Sequence, residues 1–416
     1  MGSERLSDSL RLTEQRVVAV LRGRDRLSRA ELTAATGLPR TTVVATVAAL
    51  LRRGVLAEHD DSAGKPRPVG RPSTSVALAR PCGTVALVSF ARSGTSIAVC
   101  DFSGTPVRRR SVDIHRDDDL HTILDAIGHE LAGLDRDVED RPSRAVISLP
   151  LPFRRGRGAA PIRHLTPSTL SAFPDLRPLP DWLQSDPSAA FADALGMPAI
   201  VENDANLAAL GEAILGAGRA YRSIVFIALR DGIGAGLVFD GELHRGTSDI
   251  AGELAHVSVR EDGQLCRCGN RGCLATLYRT PQLIDEISDA YGEPITFADM
   301  QTLAQHGDIG VCRILADLGR TVGRPLADLA VLLNPDAIVI DGALGAAATP
   351  VVAGMREVID RYTPPMVSQA VSILPGELGD DAQLLGAIVL SRQHYVDELL
   401  GDASPAIQRP RRIPAP

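Results

Sequence analysis

Three of the six cysteines of this 416-residue chain fall within eight residues, in Cys266-Arg267-Cys268-Gly269-Asn270-Arg271-Gly272-Cys273, and His256 stands ten positions before the first. Thiolate and imidazole are the ligands that a tetrahedral zinc ion prefers. Gly269 and Gly272 free the backbone of a Cβ where it must turn tightly for sulfurs to converge. His256, Cys266, Cys268 and Cys273 together fill four coordination positions and leave none open for a reacting water. The spacing therefore predicts a structural zinc site rather than a hydrolytic one.

Two other strings could carry chemistry. In Glu202-Asn203-Asp204-Ala205-Asn206, a strand pattern gives way to a helix pattern, so Asn203 and Asp204 lie where side chains project from a strand end into a cleft. An Asn-Asp pair is also a common helix cap. Arg154-Arg155-Gly156-Arg157 follows Pro152 and is either a solvated basic loop or a holder of an acidic or phosphorylated ligand.

The elements that position these residues follow from periodicity. Val17, Val18 and Leu21 repeat at helical spacing, and Ser28-Arg29-Ala30-Glu31 is a capping box that opens a second helix. Gly37 ends that helix, and Pro39 suits the first turn of a third. Val43, Val47, Leu50 and Leu51 give the third helix a buried stripe. Arg40, Thr41, Thr42 and Thr46 are assigned to its outer face. A short helix, a glycine turn and a helix opening on Arg and Thr describe a helix-turn-helix, whose recognition helix would meet base edges in the major groove. Residues 55–58 and 74–78 read as two strands of a wing. The loop between them carries Lys65, Arg67 and Arg71, basic side chains suited to the minor groove.

From about Gly83 the pattern changes to apolar runs separated by glycines and helical stretches. Strands are expected at 85–90, 96–100, 145–149, 199–202, 224–229, 236–239 and 337–340, with helices at 120–134, 205–215 and 351–359. This is a two-lobed α/β arrangement.

Glu253-Leu254-Ala255-His256 followed by the Cys-x-Cys-Gly-x-x-Gly-Cys string resembles the signature of the ROK family of repressors and sugar kinases, and the resemblance runs from about residue 83 to 392. Gly70-Arg71-Pro72 resembles the wing of its regulators. The resemblance implies an actin-like ATPase fold with a sugar and ATP cleft between the lobes. It also implies that Asn203, Asp204, Glu253 and His256 are ligand-binding residues. Asp204 would be the general base if a kinase were retained, and His256 would link zinc to the sugar end. Gly232, Gly234 and Gly236 of Asp231-Gly232-Ile233-Gly234-Ala235-Gly236 would be a phosphate-loop remnant. The family's Asp-x-Gly-Gly-Thr, however, stands here as Ala91-Arg92-Ser93-Gly94-Thr95, without the carboxylate that helps hold the magnesium nucleotide. A Gly-Gly step that approaches adenosine reads Asp341-Gly342, a Pro-Gly step reads Pro150-Leu151, and a sugar-contacting Glu is Ala275. Phosphoryl transfer rests on electrostatic positioning of metal and phosphates. ATP and Mg2+ are accordingly not expected, and no catalytic residue is assigned.

The expected fold class is an N-terminal all-α/winged helix-turn-helix domain followed by the two-lobed actin-like, sugar kinase-like α/β fold. Its boundaries are 1–80 for the head, 81–200 for lobe 1, 201–400 for lobe 2 with a final helix returning to lobe 1, and 401–416 for a disordered tail. Charge agrees with that division. Residues 1–80 hold 14 basic against 8 acidic side chains, a balance of +6, within a chain of net charge −7. A basic head on an acidic body fits a nucleic-acid-binding module joined to a ligand-binding domain. The absence of aromatic residues in the basic region argues against single-strand or RNA binding. No apolar run approaches the roughly 20 residues that span a bilayer, and Met1-Gly2-Ser3-Glu4-Arg5 lacks a secretory core. Scattered and metal-spaced cysteines favour a reducing, cytoplasmic setting. The partners expected are double-stranded operator DNA, a sugar or sugar-phosphate effector, and one or three further copies of the chain, with no membrane. The function expected is a sugar-responsive repressor with a degenerate kinase domain as sensor, the alternative being an active sugar kinase carrying a DNA-binding head.

Overall fold

Helices α1 (Gly2–Arg22), α2 (Arg29–Thr36) and α3 (Arg40–Arg52) pack with strands β1 (Leu27–Ser28), β2 (Leu56–Asp60) and β3 (Thr74–Leu78), ordered β1-β3-β2, to form the head. The computed structural model describes residues 2–24, 26–60, 74–91, 94–104, 106–135, 141–159, 179–230, 232–266 and 268–401. Lys65, Arg67, Arg71 and the Gly-Arg-Pro string, Arg92, Ser93, Asp231, Arg267 and the expected tail from 402 lie outside those residues. Ser28 and Glu31 form the capping box of α2, which ends at Gly37 in the left-handed conformation, φ 64°. Pro39 caps α3 from just outside rather than occupying its first turn. The α2 and α3 axes bend by 116°, within the usual helix-turn-helix range of about 90–120°.

The body contains two sheets with one plan. Strands β4 (Thr84–Ala91), β5 (Gly94–Asp101) and β6 (Pro106–Val112) run antiparallel in sequence. Beyond α4 (Leu120–Asp135), β7 (Pro142–Leu149) joins β4 in parallel. A small hairpin, β8 (Phe153–Arg154) and β9 (Gly158–Ala159), and α5 (Ser188–Leu195) precede β10 (Ala199–Asn203), which is parallel to β7. The second sheet repeats this plan. After α6 (Asp204–Ile214), β11 (Ser223–Ala228), β12 (Gly234–Phe239) and β13 (Glu242–Leu243) are antiparallel. Helices α7 (Thr280–Tyr291), α8 (Phe297–Gln305) and α9 (Ile309–Leu333) then lead to β14 (Ala337–Ile340), which joins β11 in parallel. After α10 (Ala348–Tyr362) and a single turn, α11 (Pro365–Ser368), β15 (Ser372–Pro375) extends the sheet beside β14. The chain ends in α12 (Ala382–Leu400).

All seven expected strands and three expected helices occur, with ends shifted by a few residues. The first sheet runs to Asn203, three residues past the expected division at 200. Helices α6 and α12 cross between the sheets, and their apolar faces share one core with Val85, Leu87, Phe226 and Val339. Their backbones touch at Gly386, where a Cβ would run into the carbonyl oxygen of Leu207.

Helix α12 then reaches the head. Val396 is fully buried in the head's core with Val17, Val43, Val47 and Leu50. Arg22, at the end of α1, pairs with Glu242 of β13 at 2.6 Å and with Asp397 of α12. Arg53 donates to the carbonyl oxygen of Leu399 at 3.2 Å. The Asp240-Gly241 turn between β12 and β13 packs on Gly23, and Gln393 of α12 donates to the Gly241 carbonyl at 2.8 Å. Nothing in the sequence pattern foretold this seam.

Candidate functional site

Two surfaces concentrate the predicted residues. On the head, Arg40 and Thr41 are exposed at the start of α3, and Thr42 is half-buried. Thr46 requires correction: at 6 % exposure it belongs to the head's interior. It follows Val43 by three residues and precedes Leu50 by four, so the helical repeat turns it inward with them. The outer positions are instead Val44, Ala45 and Ala48, all exposed.

The second surface is a cleft of about 880 Å3 between the two sheets. The strand-to-helix step at β10–α6 delivers Asn203 and Asp204 to its wall, and the 3-10 turn 254–256 delivers Glu253 and His256. Four ligand-binding candidates from two distant segments thus face one cavity. Asn203 also performs the cap role: its Oδ1 accepts from the Asn206 amide at 3.1 Å, and its Nδ2 donates to the Leu151 carbonyl at 3.0 Å. Asp204 Oδ1 accepts from the Ala205 amide at 2.8 Å. Burial, and secondarily the charge of Asp204, pushes the Glu253 carboxyl up to about 7. Behind them, buried Glu202 accepts from both Nε and Nη2 of Arg245, at 2.9 and 2.6 Å, and from Asn206 Nδ2 at 2.9 Å, which fixes the β10–α6 corner.

Gly232 and Gly234 line the cleft, but Gly236 does not. It lies buried against α6, where a Cβ would collide with Ala209, so its lack of a side chain serves strand–helix packing rather than a phosphate. Arg154 to Arg157 are also absent from the cleft wall. Arg155 pairs with Asp249 at 3.2 Å and ties the β8–β9 hairpin to the second lobe. Of the two readings of this string, the holder of an acidic or phosphorylated ligand has no support in this placement.

The end of the cleft beside the β4–β5 and β11–β12 turns mixes acidic and basic side chains. Asp341 follows β14 and is 6 % exposed; burial raises its pKa above the usual carboxylate range. Arg230 stands 4.0 Å from Asp341 and 2.8 Å from Asp380, while Arg109 of the first sheet pairs with Asp381 at 2.7 Å. Ala91 lines the same end without a carboxylate. Sequence reasoning missed Tyr278 and Arg279, which line the cleft immediately after the cysteine string, and Gln383 at the start of α12. Proximity to the cysteines was an available signal for the first two. Gln383, whose Oε1 accepts from Ser89 Oγ at 2.9 Å and Ser148 Oγ at 3.1 Å, lies far along the chain and gave none.

Against the cleft wall, ligand atoms of His256, Cys266, Cys268 and Cys273 lie within 4.8 Å of one another. His256 Nδ1 is 3.6 Å from Cys266 Sγ, and Cys268 Sγ is 3.5 Å from Cys273 Sγ. Bond lengths of about 2.0–2.3 Å around a tetrahedral ion give ligand separations of roughly 3.5–3.8 Å, so the donor set fits such an ion. Gly272 makes the knuckle possible: its φ is 62°, and a Cβ there would strike the Arg260 carbonyl. The group is a His/Cys cluster able to hold a metal ion. Among the described residues, no single helix is long and apolar enough to cross a membrane.

Comparison with known proteins agrees with this geometry. The xylose repressor of Bacillus spizizenii is 28 % identical over 220 residues, 53 % of this chain and 57 % of its own length. The chain thus spans little more than half of that relative. The glucokinase of Streptomyces coelicolor is 30 % identical over 257 residues, 57 % of this chain and 80 % of its own. The crystal structure of a ROK family transcriptional regulator, a homolog of the E. coli MLC protein, superposes with a TM-score of 0.71 at 22 % identity, covering 94 % of this chain and 99 % of that one, which bears on the fold. The ROK family profile matches residues 92–394, from the β4–β5 turn to within two turns of the end of α12. Over most of its length, then, the chain belongs to the ROK family.

Proposed function

We propose that this protein is a sugar-responsive, DNA-binding transcriptional repressor whose cleft senses its ligand rather than phosphorylating it. The observation that carries the proposal is the helix-turn-helix head joined by a buried side chain, Val396, to a ROK body. The name of the xylose repressor relative supports it. Ala91, which lines the cleft where a carboxylate would help hold a magnesium nucleotide, supports it as well. Asp204, Glu253 and Asn203 are suited to sugar hydroxyls. With Arg155 engaged by Asp249, a sugar or sugar-phosphate effector would meet the cleft's own side chains, Arg279 among them. The His/Cys cluster holds zinc in this reading. Zinc would supply a fixed positive centre that braces the 253–256 turn against the cleft, since second-shell contacts orient a site.

Two elements connect the cleft to the head. Strand β12 starts at Gly234 in the cleft and ends at the turn on Gly23. Helix α12 starts beside Gln383 and ends in the head's core about 20 Å further on. A ligand that favours one lobe angle would shift the head through them, by no more than its differential affinity for the two states. Two copies of the chain would present two heads to half-sites about one helical turn apart.

Fluorescence anisotropy on labelled DNA from the gene's own upstream region, with a panel of sugars and no ATP, tests the proposal. Arg40→Ala is expected to weaken specific binding without altering the fold; unchanged binding would overturn the recognition-helix assignment. The second reading, a sugar kinase, is favoured by Asp204 in the cleft and by the glucokinase relative. Sugar-dependent ADP release that Asp204→Asn abolishes would establish it.

A further inference from the structure

The outer face of α3 has an unusual chemistry for a surface that reads DNA. Its positions at helical spacing are Arg40 and Thr41, then Val44 and Ala45, then Ala48, all exposed, with Val44 at 44 %. They stand opposite Val43, Thr46, Val47 and Leu50, which are buried. Between Arg40 and Arg52 the helix holds no Asn, Gln, Lys, Asp or Glu. Arg52 lies at the far end, where its Nε turns back to the Ala48 carbonyl at 3.3 Å. Between Arg40 with the hydroxyl of Thr41 at one end and Arg52 at the other, this face offers a duplex nothing but methyl groups.

Methyl groups cannot read a hydrogen-bonding edge. In the major groove adenine, guanine and cytosine present only donors and acceptors, whereas thymine adds a C5 methyl. An apolar face can therefore discriminate bases only by burying thymine methyls or by leaving a polar edge unpaired. From Val44 to Ala48 the helix rises about 6 Å, which spans two to three bases at 3.4 Å each. We propose that α3 reads a short run of thymines through Val44, Ala45 and Ala48, with Arg40 supplying a single guanine contact beside it. The preferred partner is then a half-site of one guanine flanked by two or three consecutive thymines on one strand. This rests on the helix-turn-helix reading above and adds which side chains carry its sequence preference.

The test uses the full-length protein, one selected duplex and its singly substituted variants. A half-site is first selected from random double-stranded DNA by the protein itself. Each thymine of the selected duplex is then replaced singly by uracil, which removes the C5 methyl and nothing else. The expected result is a cluster of two or three thymines at which uracil weakens binding by about four-fold each, the effect of one buried methyl. Thymines elsewhere in the duplex are expected to be indifferent. Val44→Ser is expected to erase the uracil effect at one of those positions, and because Val44 is exposed the head's core is untouched. Selection of half-sites without thymines in register, or uracil binding as well as thymine at every position, would overturn the proposal while leaving DNA binding intact. Failure to enrich any sequence would overturn it together with the helix-turn-helix reading on which it rests.

Discussion

Val396→Ala probes the seam between body and head. Val396 belongs to α12 of the body, yet it is fully buried among the apolar side chains of the head. Truncation removes two buried methyl groups, about 1.6 kcal/mol of transfer free energy, and the cavity left behind raises the cost to roughly 2–3 kcal/mol. The polar bonds across the seam are weaker supports. Arg22 with Glu242 and Asp397 is a partly exposed pair of contacts, each contributing about 0.2–1 kcal/mol. Loss of Val396 should therefore shift the docking equilibrium by about 30- to 150-fold. Hydrogen exchange followed by mass spectrometry on the full chain reads this directly. Peptides covering 17–21, 47–56 and 393–400 are expected to exchange faster in the variant, with those over β7 and β11 unchanged. Any sugar-dependent change in operator affinity is expected to shrink in parallel. If the head peptides exchange at the wild-type rate, the head closes its core without α12, and the route from cleft to head is wrong.

Two further predictions concern the cleft and the knuckle beside it. His256→Ala or Cys268→Ala should lower metal content and the melting temperature, because ion binding at a closed site contributes folding free energy; full stability in a strong chelator would count against a structural ion. The raised carboxyl of Glu253 gives stability a definite pH dependence. Between its ordinary value of 4.5 and about 7 the folded protein binds a proton that the unfolded chain has released, so stability should fall as pH rises through that window. Glu253→Gln should flatten that part of the melting-temperature profile, and an unchanged slope would show that Glu253 is not the group responsible.

Local signals in the sequence were strong enough to determine several parts of this protein. The capping box at Ser28 and Glu31, the left-handed Gly37 and the cysteine knuckle are short-range devices, in which residues a few positions apart satisfy amides or bring their donor atoms together. Such devices require no knowledge of what packs against them. The same holds for the apolar strands from 85 to 340, whose composition admits little else. The polarity of Thr46 points outward while its helical position turns it inward, and periodicity prevails. Tertiary structure alone decided the rest. That Gly236 packs on α6 while Gly234 faces the cleft depends on which side of β12 the helix covers. That Arg155 meets Asp249, that Arg230 sits between Asp341 and Asp380, and that Gln383 closes a hydrogen-bonded corner with Ser89 and Ser148 all depend on segments far apart in the chain. The repeated strand order of the two sheets and the burial of Val396 in the head are of the same kind. Each is a contact between surfaces that are individually ordinary, and only the free energy of packing the whole chain selects which of them meet.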